Sequence, residues 1–215
     1  MNWGIFGDLA AGTVTTLWVF AAGTSIGVPL GLFLALLRVW RLPLLAQLVA
    51  GYVSVLRATP LMTLALLIYF GLPSVGIEMS SKVAAVVAMS LNTAAFHSEI
   101  WRASLLDFPA EQLEAARAAG MTRGLAFRRI VLPQAWRASL PGIVNEMTFL
   151  IKTSPAIAVI GVVDLTRTAA RIAAYTYEPL PPYIAATIIY MVVVMVLVRG
   201  QRVVESLIIR RYGTL

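Results

Sequence analysis

Four ionisable side chains lie inside long apolar runs: Arg57, Glu99, Glu146 and Lys152. A charge at the centre of a membrane costs about 2.5–3.5 kcal/mol on insertion scales, so its presence marks either a solute path or a buried ion pair. Two arrangements fit these residues. Lys152 or Arg57 pairs with Glu99 or Glu146 and holds helices together. Alternatively, Glu146, Asn145, Arg57, Thr59, Met62, Thr63 and Lys152 line a path on which Glu146 faces an ammonium or basic group of the solute. Bond-making chemistry has little to work with. No spaced His/Cys/Asp/Glu cluster suits a metal, there is no cysteine, and the single histidine, His97, reads as a hydrogen-bonded packing group.

The elements that must carry these side chains follow from composition. The chain has 215 residues, 60% hydrophobic and 13% charged. Soluble domains carry about 25% charged residues, so this chain is an integral membrane protein of one compact domain, residues 1–215. A spanning helix needs about 20 apolar residues. Five runs qualify, at 9–37, 52–72, 83–101, 141–163 and 182–198, predicting an all-α fold of five transmembrane helices. In the second, 44–51 becomes an interfacial segment and Arg57 snorkels from about a turn inside one end; the alternative is one long tilted helix with Arg57 buried. Lys152 falls roughly 16 Å into the fourth span at about 1.5 Å per residue, near mid-membrane. Residues 102–140 form the one long polar loop.

Net charge is +7. The basic residues cluster in short loops between apolar runs, which argues for membrane topology and against nucleic acid. Arg38, Arg41, Arg102, Arg117, Arg123, Arg128, Arg129, Arg137, Arg199, Arg202, Arg210 and Arg211 fall on one side. Lys82, Arg167 and Arg171 fall on the other. This 12-to-3 bias puts the N-terminus outside and the polar loop and C-terminus in the cytoplasm. Within the loop, Asp107 is suited to cap a helix with Pro109 in its first turn. Gly120 is suited to end that helix at positive φ. Thr122 can cap a second helix, which Pro133 perturbs or ends. Four alanines, 115, 116, 118 and 119, leave the first helix thin enough to lie deep in a partner's groove.

Glu114, Ala115, Ala116, Gly120, Ile130, Leu132 and Pro133 stand at the spacing EAA-x3-G-x9-I-x-L-P. At average usage, seven fixed identities recur by chance on the order of 10^-8 per start position. The pattern resembles the signature loop of the membrane subunits of ATP-binding-cassette importers. The resemblance implies a type I importer permease fold in a bacterial inner membrane. It makes Glu114, Ala115, Ala116, Arg117, Gly120, Leu132 and Pro133 the docking point for an ATPase. The chain has no G-x-x-x-x-G-K-[ST] phosphate loop, so ATP and Mg belong to a separate ATPase dimer, and the chain itself is a transport subunit with no catalytic residue or cofactor. The other implied partners are a second permease subunit, identical or related, and an external substrate-binding protein.

Three further stretches narrow the resemblance. LRATPLMTLALLIYFGLP at 56–73, AFHSEIWR at 95–102 and NEMTFLIKTS at 145–154 are similar to segments of polar amino acid permeases of the histidine/glutamine/arginine type. The cargo implied is a polar amino acid, basic ones included. Leu64 departs from a position where that family commonly has glutamine, and Glu111 from one where it commonly has glycine. The first departure bears on which amino acid is moved, the second only on the stiffness of the loop helix. Rival readings are a permease for methionine, a metal complex or an opine on the same plan, a secondary transporter or channel subunit, and a structural partner to a related permease.

Overall fold

The computed structural model describes residues 3–40 and 43–212. Arg41 of the charge count lies outside the described residues, as do the side chains of Arg210 and Arg211. Among the described residues all regular structure is helical: α1 Trp3–Val39, α2 Pro43–Ala58, α3 Leu61–Leu66, α4 Ser81–Leu106, α5 Ala110–Ala118, α6 Arg123–Ala126, α7 Leu132–Thr153, α8 Leu165–Thr176 and α9 Leu180–Tyr212. Four segments, 4–39, 81–106, 123–160 and 180–200, are long and apolar enough to cross a membrane. The α2–α3 pair makes a fifth if it is one broken span.

The central seam joins α1 to α4. Gly23, Gly27 and Gly31 recur every fourth residue and face Met89, Thr93 and His97, which recur at the same stride. The two helices therefore run parallel in register, as expected of two spans that both end at the loop side. Small residues at such a seam let backbones approach closely, which drives association where lipid removes the hydrophobic contrast. The approach is close enough that a Cβ on Gly27 would lie 2.5 Å from the Thr93 Cβ and 2.8 Å from the Ser90 carbonyl. At the loop end the seam closes with charge. Glu99 bridges Arg38 of α1 and Arg102 of its own helix, the latter through Nη2 at 2.8 Å and Nε at 3.0 Å.

The second run departs from the expected straight span over 52–72. A single helix covers 43–58, breaks at Thr59–Pro60 and turns by 109°. The expected split between an interfacial 44–51 and a span beginning at Tyr52 is absent. Proline removes an N–H and disfavours the helical region for the residue before it, so the break falls where the chemistry requires one. Tyr52 fixes α2 against the middle of α4 by donating to the Leu91 carbonyl at 3.0 Å.

The fourth run also differs. The segment 123–160 is continuous in helical form, so the expected loop boundary at 140 is no boundary. Pro133 does not end the helix. A π turn at Phe127–Val131 precedes it by two residues, just as a π turn at Leu67–Gly71 precedes Pro73. The wider π turn accommodates the missing proline N–H and the ring that would otherwise strike the carbonyl four residues back.

At the end opposite the loop, α8 packs on α1 and α9 through Leu9, Leu165, Ala169, Ile172 and Ala186. Asp164 caps α8, accepting from the Arg167 N–H at 2.8 Å. The Thr16 hydroxyl accepts from the Leu165 N–H at 3.0 Å and ties the cap to α1.

Candidate functional site

Two regions hold the residues expected to bear function: the loop helices and the break between α2 and α3.

In the loop, Asp107 is the C-terminal cap of α4 and does not cap α5, because Pro109 takes that place with extended backbone. Gly120 has φ +76°. It donates to the Arg117 carbonyl at 2.9 Å, while Met121 donates to that of Ala116 at 3.0 Å. This left-handed termination is the one glycine suits. Thr122 then caps the next helix, its hydroxyl accepting from the Leu125 N–H at 3.4 Å. The seven residues of the loop motif divide by position. Ala116 is buried and Leu113 half-buried, seating α5 on Trp101, Leu105, Phe108, Phe127 and Val131. Glu111, Glu114, Ala115, Ala118 and Ala119 stay exposed and offer a thin outer face. Arg117 is exposed, while Leu132, Pro133 and Ile130 are half-buried at the root of α7. Gln134 donates to Gln112 at 2.8 Å, fastening α5 to that root. A load on α5 therefore reaches α7 directly.

Along α7 the same rod carries Asn145, Glu146, Phe149, Lys152 and Thr153. At 3.6 residues per turn, Asn145, Phe149 and Lys152 share one face, and Glu146 lies about 100° round the helix from Asn145. Asn145, Phe149 and Lys152 are exposed and Glu146 is half-buried. Opposite them, the α2–α3 break opens a cavity of about 520 Å³. Arg57, Thr59 and Met62 line it together with Asn92, Phe149 and Thr153. The Arg57 guanidinium lies 5.3 Å from the centre of the Phe96 ring, a cation–π contact. The Arg57 side chain is exposed and sits level with the sixteenth of the 26 residues of α4.

Of the expected path residues, Arg57, Thr59 and Met62 share the cavity. Glu146, Asn145, Thr63 and Lys152 lie outside its lining. The alternative in which Glu99 pairs with Lys152 or Arg57 is replaced by pairing with Arg38 and Arg102, because Glu99 lies at the loop end of α4 beside the last turn of α1. Asn92, Phe96, Phe149 and Thr153 were not singled out as path residues; a buried amide in an apolar run was the signal available for Asn92. His97 is fully buried against Gly31, its Nδ1 2.9 Å from the Thr93 carbonyl, which is the packing role expected of it.

Known proteins share this plan. The chain is 39% identical over 195 residues to the arginine transport system permease protein ArtQ of Bacillus subtilis (strain 168), covering 90% of this chain and 89% of that protein. It is 37% identical over 204 residues to the nopaline transport system permease protein NocM of Agrobacterium fabrum (strain C58 / ATCC 33970), covering 90% and 85%. A solved structure of an amino acid ABC transporter with histidines superposes with a TM-score of 0.86 at 35% identity, covering 94% of each chain. A chain of the MetNI methionine ABC transporter superposes at 0.78 and 21% identity over 97% of this chain and 99% of that one, a likeness of fold. The family model for the binding-protein-dependent transport system inner membrane component matches residues 27–210. With a loop helix seated on its bundle, an unbroken rod behind it and a match over most of its length, the chain belongs to the binding-protein-dependent transport system inner membrane component family.

Proposed function

We propose that the chain is the transmembrane subunit of an ATP-driven importer for polar amino acids, working as one of two permease halves on a separate ATPase dimer and fed by an external binding protein. One observation carries this reading: the C-terminal half of α7 exposes Asn145, Phe149 and Lys152 on one face, and Phe149 lines the cavity at the α2–α3 break. Exposed ionisable groups at that depth are not tolerated against lipid. Such a face belongs against a second permease half with a water-filled path between them. The 12-to-3 distribution of basic residues supports a cytoplasmic loop and C-terminus, and therefore a docking face on the side where ATP is.

The cavity chemistry fits a zwitterion. Glu146, on α7 outside the cavity lining, supplies a carboxylate for the α-ammonium or a basic side chain as α7 moves. Arg57 supplies a forked guanidinium for the α-carboxylate, and Thr59, Asn92 and Thr153 supply neutral hydrogen bonds. Relatives named for arginine, glutamine and opine transport support cargo of this kind. The mechanism implied is mechanical. Closure of the ATPase dimer on ATP moves α5; the Gln112–Gln134 contact and the shared core pass that motion to α7; α7 carries Glu146 past the Arg57 cavity and alternates its access.

The test is uptake into vesicles holding the whole transporter. Glu114→Lys, which reverses the charge at the centre of the outer face of α5, is expected to abolish ATPase co-purification and uptake while the chain stays folded in the membrane. Normal co-purification together with normal uptake refutes the docking assignment.

A further inference from the structure

Behind the docking helix is a second cavity of about 430 Å³, within the range of ligand pockets. It separates α5 from the end of α1 and the root of α7. Its walls are apolar, formed chiefly by Trp40, Leu113, Phe127 and Val131, and its rim carries Arg117 and Arg123. Trp40 and Phe127 meet edge to face at 6.3 Å. Of its lining the transport reading shares only Arg117, and it uses none of the apolar walls.

We propose that this cleft seats one anionic phospholipid of the loop-side leaflet, its acyl chain against the apolar wall of Trp40, Phe127 and Leu113 and its phosphate on Arg117 and Arg123. Three features favour a lipid over a protein segment. Trp40 is 58% exposed at the end of a spanning helix, the level at which tryptophan anchors proteins to headgroups. The helix α2, which begins three residues after Trp40, presents Leu44, Leu45 and Leu48 outward, an apolar surface suited to acyl chains. The rim then adds two guanidiniums and no acid, which selects negative charge through forked hydrogen bonds to phosphate oxygens. The occupied cleft holds α5 at a fixed distance from the bundle. A transporter in neutral lipid is therefore expected to have a looser docking helix. That consequence rests on the docking role proposed above; the binding does not.

The test uses the complete transporter in phosphatidylcholine vesicles with increasing phosphatidylglycerol brominated on its acyl chain. Trp40 is read as the difference in quenching between the native chain and Trp40→Phe. Half-maximal quenching of Trp40 is expected at a several-fold lower mole fraction of brominated phosphatidylglycerol than of brominated phosphatidylcholine. Arg123→Gln, at an exposed position, is expected to remove the preference, and Arg123→Lys to restore part of it. Equal quenching by the two lipids overturns the proposal. A preference unchanged in Arg123→Gln overturns it as well. Loss of the preference when inorganic phosphate is added at millimolar concentration identifies a free-phosphate site and likewise overturns it. Failure of ATPase docking with the lipid preference intact would count against the transport reading alone.

Discussion

Gly27→Ala probes the seam on which every other element hangs. The added methyl carbon would meet the Thr93 Cβ at 2.5 Å, its Cγ2 at 2.7 Å and the Ser90 carbonyl at 2.8 Å. Ordinary contact begins near 3.4 Å, so the pair must separate by about 0.9 Å at that level. Thr93 is buried and β-branched, with little freedom to rotate away, and the carbonyl belongs to the α4 backbone. Overpacking of a tight core costs about 1–3 kcal/mol. The upper part of that range is expected here, offset by roughly 1 kcal/mol of helix propensity gained on replacing glycine. The control is Gly51→Ala in α2, where the new methyl meets nothing within 4 Å and only the propensity gain remains. Thermal denaturation of the purified transporter in detergent should place Gly27→Ala below the native protein and Gly51→Ala at or slightly above it. Equal midpoints for the two variants would refute the close approach of α1 and α4.

Other consequences are as direct. Asp164 is fully buried with Oδ2 unpartnered, and burial raises its pKa above the ordinary carboxylate range. A carboxyl raised on folding contributes stability that is complete below about pH 4, its unfolded value, and is lost as pH rises through the folded value. Asp164→Asn keeps the cap oxygen and should flatten that pH dependence of the melting midpoint, whereas Asp164→Ala should lose about 1 kcal/mol of capping; an unchanged pH profile in Asp164→Asn contradicts the assignment. In the path, Glu146→Gln removes a charge-assisted contact worth about 1.5–3 kcal/mol, so uptake of a cationic amino acid in vesicles should fall roughly 10- to 100-fold; unaltered uptake removes Glu146 from the path. Arg57→Lys keeps the charge but loses the fork and the stacking on Phe96, and its uptake should fall less than that of Arg57→Ala; equal losses show that the guanidinium shape is irrelevant.

What was legible in the sequence was what local chemistry decides. Gly120 at positive φ and Thr122 as a cap follow from the two residue types and their spacing, and the structure places both as expected. Pro60 was an equally local signal, yet the span over 52–72 was drawn through it, and the structure breaks there. Pro133 was read by the same rule, and the structure differs because a π turn upstream absorbs the conflict, a compensation set by neighbours and packing. Asp107 carries a cap-forming side chain but falls where α4 ends, and the length of α4 is fixed by its contact with α1. The partner of Glu99 was beyond reach because Arg38 is 61 residues away and meets it only after α1 and α4 align. The glycines at 23, 27 and 31 stand every fourth residue, but neither their role nor the helix they face was read from the sequence. The exposed face of α7 was not read either, and the Arg57 cavity exists only through the 109° turn.

The account's central claim is that α5 hands the work of an external ATPase to α7. The chain has no cysteine, so single thiols can be placed at will. The measurement is cross-linking, in the assembled transporter, of Ala118→Cys on the outer face of α5 to an ATPase partner carrying one surface thiol, with Tyr175→Cys at the opposite end as the reference. The account predicts a disulfide between the permease and the ATPase for Ala118→Cys, changing in yield when ATP is added, and none for Tyr175→Cys. Equal yields at the two positions, or none at Ala118→Cys in a transporter that still takes up substrate, would contradict it.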